Sequence, residues 1–222
     1  MSAARISKRQ LKEDTFIATT LKAWEYVREN EKYFFIGLVA LVCIAALVGW
    51  SSYARKQGNL KASSQFAEGL ASFRTGNFKT AEDLFTAVMK EHGNRKEGIY
   101  ASYFLGKCAL ETGRYLDAIN AFDRYLAKSK SQPFFHDAAM EGKAIALESS
   151  QRYEEAGNLY RELAGNLKNG QFLEATCLRR SAENYRLCNR TEKAIEVLGI
   201  LLDKATGTER RDIEIELEIL RG

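Results

Sequence analysis

The chain has 222 residues, 28% of them charged and 45% apolar, with 33 Lys/Arg against 29 Asp/Glu and a formal net charge of +4. That composition excludes a disordered polymer and supplies none of the concentrated positive charge that a folded nucleic-acid module carries. A single proline, Pro133, excludes a turn-rich sandwich or barrel and points to a mostly helical protein.

Seven cations (Arg5, Lys8, Arg9, Lys12, Lys22, Arg28 and Lys32) fall in the first 32 positions beside five acids, which leaves the remainder close to neutral. Within residues 1–32, Phe16, Ile17, Thr20, Leu21, Trp24 and Val27 follow helical spacing and form one apolar face. Lys12, Lys22 and Arg28 are available to anionic headgroups. This amphipathic segment is expected to lie on the cytoplasmic membrane surface, to pack against a partner's membrane helix, or simply to lead into the next element.

From Lys32 to Arg55 the sequence reads KYFFIGLVALVCIAALVGWSSYAR, with 22 uncharged residues between the two cations. About 20 apolar residues in a helix cross a hydrocarbon core of about 30 Å, so residues 33–54 are read as a transmembrane helix. Tyr33 at one end, and Trp50 and Tyr53 at the other, stand where interfacial aromatics belong. Ser52-Tyr53-Ala54 offers a small-x-small cleavage site. The segment ahead of it is too long for a signal-peptide n-region, and the apolar run exceeds the usual 7–15 or so residues, so an uncleaved anchor is expected. After the span only Arg55, Lys56 and Lys61 follow closely. The positive-inside bias therefore expects a cytoplasmic N-terminus and a C-terminal part outside the cytoplasm, which in a bacterium is the periplasm. Residues 55–61 are read as a linker.

The stretch from Leu105 to Leu126, LGKCALETGRYLDAINAFDRYL, introduces a spacing that recurs. Gly76, Phe78, Ala81 and Phe85 repeat as Gly113, Tyr115, Ala118 and Phe122. Gln151, Tyr153, Ala156 and Tyr160 make a third copy, and Asn189, Thr191, Ala194 and Leu198 a fourth. The steps of 37, 38 and 38 residues signal stacked helix pairs, with Gly113 supplying a left-handed turn within its pair. The small residues Gly69, Gly106, Ala144 and Ala182 lie twelve positions before the repeated Ala, where the first helix is expected to cross the second closely. Aromatics one turn later are expected to fill the space between layers. The expected fold is all-α: a solenoid of about four helix pairs over residues 62–222, with repeats at about 62–95, 99–132, 137–170 and 175–208. The last stretch, TERRDIEIELEILRG, reads either as an alternating strand or as a helix; Ile213, Leu217 and Leu220 favour a helix over 209–222 capping the array.

The pattern resembles the tetratricopeptide repeat, whose signature pairs L-G-x-x-[YA] in the first helix with A-x-x-x-F in the second. Leu105-Gly106-x-x-Ala109 and Ala118-x-x-x-Phe122 carry it best, over a period longer than the usual 34 or so and without the closing proline. A short cytoplasmic segment, one membrane helix and an extracytoplasmic array resemble the bacterial family of the ancillary subunit of the SecYEG translocon. The repeat domain is also similar to that of the periplasmic cell-division coordinator. The resemblance implies a non-enzymatic, single-pass inner-membrane scaffold for translocon subunits, exported clients or periplasmic chaperones. Its alternatives are a coordinator of envelope assembly or division, and a self-associating scaffold forming homo-oligomers.

No phosphate loop, nucleophile elbow or zinc-protease motif is present, and His92 and His136 lack acidic or cysteine companions at ligand spacing. Neither an enzymatic activity, nor a cofactor, nor a metal, nor a nucleic-acid partner is expected. Cys43, Cys108, Cys177 and Cys188 include no C-x-x-C. The last two are separated by eleven residues, or roughly 16 Å along a straight helix, too far for a disulfide. All four are read as small buried hydrophobes.

Repeat arrays bind through the concave surface lined by the first helix of each pair. Counting from 62, 99, 137 and 175, the second, fifth, ninth and twelfth positions place Tyr100, Tyr103, Lys107, Glu141, Arg179, Glu183 and Arg186 on that face, together with Phe66, Leu70 and Phe73. Tyrosine and arginine are enriched at binding hot spots; Phe66, Leu70 and Phe73 read more readily as core. A carboxylate clamp of the co-chaperone type would need Lys and Asn at the fifth and ninth positions of the first repeat, where Phe66 and Leu70 stand.

Overall fold

A computed structural model describes Trp24, Arg28 and residues 31–129, 133–167 and 171–222. Phe16, Ile17, Thr20, Leu21 and Val27 of the amphipathic segment lie outside the described residues. The chain divides into two compact units, Met1–Gln57 and Gly58–Gly222. Nine α-helices occur among the described residues, and no strand: α1 Glu31–Arg74, α2 Phe78–His92, α3 Lys96–Glu111, α4 Tyr115–Lys128, α5 His136–Ser149, α6 Tyr153–Asn166, α7 Gln171–Leu187, α8 Thr191–Lys204 and α9 Gly207–Arg221. A 3-10 turn at Pro133–Phe135 leads into α5.

In the first unit, the side chains that would need burial in a water-soluble protein stay exposed around the helix, among them Ile36, Leu41, Leu47 and Trp50. The segment is the one helix among the described residues long and apolar enough to cross a membrane. Residues 55–61, read from the sequence as a linker, are helical and belong to α1.

In the second unit, α2 through α9 pack each on the next in chain order, and α3 also touches α5, which is the contact pattern of a right-through stack of helix pairs. Amphipathic second helices turn Phe85, Phe122 and Tyr160 fully inward. The repeated Ala81, Ala118, Ala156 and Ala194 are each fully buried. At the two glycines among the small residues of the first helices, the nearest neighbour is an aromatic ring rather than the repeated Ala. A Cβ on Gly69 would lie 2.7 Å from the Phe85 ring, and one on Gly106 would lie 2.7 Å from the Phe122 ring. The first helix is thus kept small for the aromatic of its own pair. The same Phe122 ring comes within 2.6 Å of a Cβ built on Gly142 in α5, so one ring is clasped by two successive layers.

All four helix pairs close on a left-handed residue at the same register. Gly76 and Gly113 have φ of 77° and 71°, and Gln151 and Asn189 have 61° and 58°. The residue after each donates its N–H to a carbonyl five positions back: Asn77 to Ser72, Arg114 to Ala109, Arg152 to Leu147 and Arg190 to Tyr185, at 2.8–2.9 Å. This bond satisfies an otherwise orphaned carbonyl at the helix end and sets the reversal into the second helix. The terminal stretch is the helix α9; Ile213 and Leu217 are buried against the last pair, and the alternative strand is absent.

Two substitutions test these constraints in the full chain held in uncharged detergent micelles. Gly106→Ala forces a methyl into a ring that has no free side to retreat to, and lowers unfolding free energy by about 1–3 kcal/mol in spite of the better helix propensity of alanine. Gln151→Gly removes left-handed strain and raises it by roughly 0.5–1 kcal/mol, a melting shift of about +1 to +4 °C. A stabilised Gly106→Ala or a destabilised Gln151→Gly in thermal unfolding contradicts the corresponding packing or turn argument.

Candidate functional site

The inner-face positions fall into three settings. At the first two pairs they are packing residues. Phe66, Leu70 and Phe73 are half-buried against a cluster containing Phe85 and Val88. Tyr103, placed on the groove by its spacing, sits in the core instead, with 8% of its surface exposed. The 3-10 turn before α5 inserts Phe135 alongside it, and the two rings stack at 4.5 Å with planes 3° apart. Burial first, and the Glu141 carboxylate second, push the Tyr103 hydroxyl above the usual tyrosine range. Tyr100 keeps a half-exposed ring, 5.2 Å from Phe135, with Lys96 Nζ 5.5 Å above it.

Further along, Lys107 on α3 and Glu141 on α5 are half-buried and have no ion-pair partner among the described residues. Glu141 is close enough to raise the Cys177 thiol as well, after burial, to about 11.

At the far end, Arg179 and Glu183 are brought together on the wall of one cleft of about 920 Å³, built by α5, α7, α8 and the start of α9. Arg186 lies two turns beyond Arg179 and reaches Glu216 on α9 at 2.9 Å. The cleft is lined with ion pairs that tie its walls together. Arg179 pairs with Glu209 at 3.2 Å, Arg180 with Glu148 at 3.4 Å, and Lys204 with Glu174 at 2.9 Å. Beneath them the buried Asn184 donates Nδ2 to Glu148 at 3.2 Å and to the Arg180 carbonyl at 2.9 Å. The Arg180 guanidinium also stands 5.8 Å from the centre of the Tyr160 ring. Glu148 thus accepts from two side chains of α7 at once, which holds α5 against α7. The seven inner-face candidates therefore do not form one site. Arg179 and Glu183 share one lined cavity.

The counting rule reaches Glu148, the twelfth position of the third repeat, but Arg180, Glu174, Lys204 and Glu209 have no signal in a repeat register. They meet only because α8 ends and α9 begins beside α7. Among the described residues no group of three or more His, Cys, Asp or Glu is placed to hold a metal ion. His136 Nδ1 is instead 2.8 Å from the Ser129 hydroxyl, and all four cysteines are free.

Comparison with known proteins agrees with this architecture. A family profile described as tetratricopeptide repeat matches residues 66–133. No curated protein matches significantly. Among solved structures, 40 chains match. One is the putative kinesin light chain of Podosopora anserina with nearly identical tetratricopeptide-like repeats: TM-score 0.52, 15% identity, 64% of this chain and 74% of that one. A point variant of the same protein aligns at TM-score 0.52 and 16% identity over 67% of this chain and 76% of that one. The array is a tetratricopeptide-like α-solenoid.

Burial also pushes the Cys108 thiol up to about 11. With the protonated form favoured well above neutrality and the sulfurs enclosed, neither Cys108 nor Cys177 reacts with iodoacetamide at pH 8 in the folded chain, and both react after unfolding. Mass spectrometry of tryptic peptides reads this directly; rapid labelling of either in the folded state shows that the walls beside Glu141 and Glu82 are open.

Proposed function

We propose that the protein is a single-pass membrane scaffold whose repeat array recruits polypeptides at the outer face of a bacterial inner membrane, in the setting of Sec-dependent export. The reading rests on one combination: an apolar helix exposed on all its sides in the first unit, and in the second a stacked array with a charged, solvent-open cleft on its inner face. Loop cations favour a cytoplasmic N-terminus. Translocon subunits, exported clients and periplasmic chaperones are the partner classes that this placement would bring within reach.

A second reading is self-association. It is favoured by Ile215 and Ile219 on the outer surface of α9, which are 50% and 74% exposed one turn apart. A second copy is the simplest cover for such a stripe.

Photo-reactive residues at Lys107 and Arg179, crosslinked in living cells and followed by mass spectrometry, separate these readings. Adducts with channel subunits or a range of exported chains support the export scaffold, and adducts with wall enzymes favour the envelope coordinator. Adducts with this protein alone favour self-association. Carbonate extraction tests the anchor: recovery of the intact chain in the soluble fraction rejects it.

A further inference from the structure

The charges lining the terminal cleft are unequal in a way that selects its ligand. Each of its three cations already holds a carboxylate: Arg179 with Glu209, Arg180 with Glu148, and Lys204 with Glu174. Its fourth carboxylate, Glu183, is exposed on α7 one turn from Arg179, and has no ion-pair partner among the described residues. An anionic ligand would have to displace a protein carboxylate from every cation it engaged, and would meet Glu183 as a like charge. A cationic group displaces nothing. It finds one unpaired carboxylate and, around it, carboxylates with unused lone pairs.

The walls suit a long cationic side chain. The half-buried Ala175 supplies apolar surface for a methylene stem, and the volume of about 920 Å³ falls within the range of ordinary ligand sites. Arg179 and Glu183 occupy the fifth and ninth positions of the fourth repeat, on the inner face, so an extended backbone can continue along the first helices while one side chain enters.

We propose that this cleft receives a lysine or arginine side chain of a bound polypeptide, with Glu183 as the pairing carboxylate. The inference rests on the protein-binding reading of the array and adds the chemistry of the partner. It is the reverse of a clamp for C-terminal carboxylates: the cleft's cations serve to hold its own walls together, and the free charge the cleft offers a partner is negative.

Fluorescein-labelled deca-lysine, titrated by anisotropy against the full chain in uncharged detergent micelles, tests it. The protein's net charge is positive, so long-range repulsion opposes this probe and binding reports local chemistry. Deca-lysine binds the wild type. Glu183→Gln weakens it about two- to fivefold, the range for one exposed pair, and Glu183→Lys weakens it by about tenfold or more. Glu192→Gln, an exposed carboxylate outside the cleft, leaves binding within about twofold. Circular dichroism of each variant confirms unchanged helix content. Absence of deca-lysine binding, or equal binding by wild type and both Glu183 variants, overturns the proposal. The crosslinking from Lys107 keeps the two failures apart. If it captures partners while deca-lysine shows no dependence on Glu183, the scaffold stands and the cation-accepting cleft falls. If it captures none, the scaffold reading itself falls.

Discussion

A buried aromatic ring in direct contact with a helix that has no Cβ at that point governs the spacing of this array. Phe85 against Gly69, and Phe122 against both Gly106 and Gly142, bring the helices closer than any side chain at the glycine would allow. The contact is steep in distance, because overlap of even a few tenths of an ångström is repelled while a gap forfeits dispersion. It therefore fixes where each layer sits on the last. The inner face follows from that stacking, and so does the cleft, whose walls come from the last two pairs and α9.

Within each pair the chain solves a second problem, that of reversing direction without orphaning backbone carbonyls. The four left-handed turns do so with the same six-residue hydrogen-bonded ring, although only two of them use glycine. Asparagine tolerates this region through its short polar side chain, whereas Gln151 adopts it because the flanking helices over-determine the turn. Exposed ion pairs then join neighbouring pairs of helices on the outside: Arg114 with Glu82, Arg190 and Lys193 with Glu154, and Arg161 with Glu196. Such pairs contribute little each to stability. What they contribute is orientation, since each bridges residues more than thirty positions apart.

The fold was legible because its determinants are periodic. A spacing of 37 or 38 residues gave the helix pairs, and the Ile213/Leu217 spacing gave the final helix. The role of the small residues was less legible: Gly106 faces the Phe122 ring, and sequence spacing alone cannot tell a partner four residues past the repeated Ala from the Ala itself. Tyr103 shows where a register rule fails. Its position on the first helix is right for the inner face, but the turn carrying Phe135, an irregular insertion between repeats, covers it. The cleft was the least legible part. Its pairs join a helix middle, a helix end and a cap, at separations that no repeat period predicts.

The strained joint at Gln151 has a mechanical meaning for a stack whose layers touch only their neighbours. Such a structure has no long-range closure to share a load, so its resistance is that of its least favourable junction. A non-glycine residue held at positive φ makes the turn between α5 and α6 costlier to keep than its glycine counterparts at Gly76 and Gly113. Tension applied at the C-terminal side of the array would peel it from α9 inward and meet that joint after α9 and the last pair have gone. The Gly76 and Gly113 junctions, together with their phenylalanine clasps, would then form the more durable remainder.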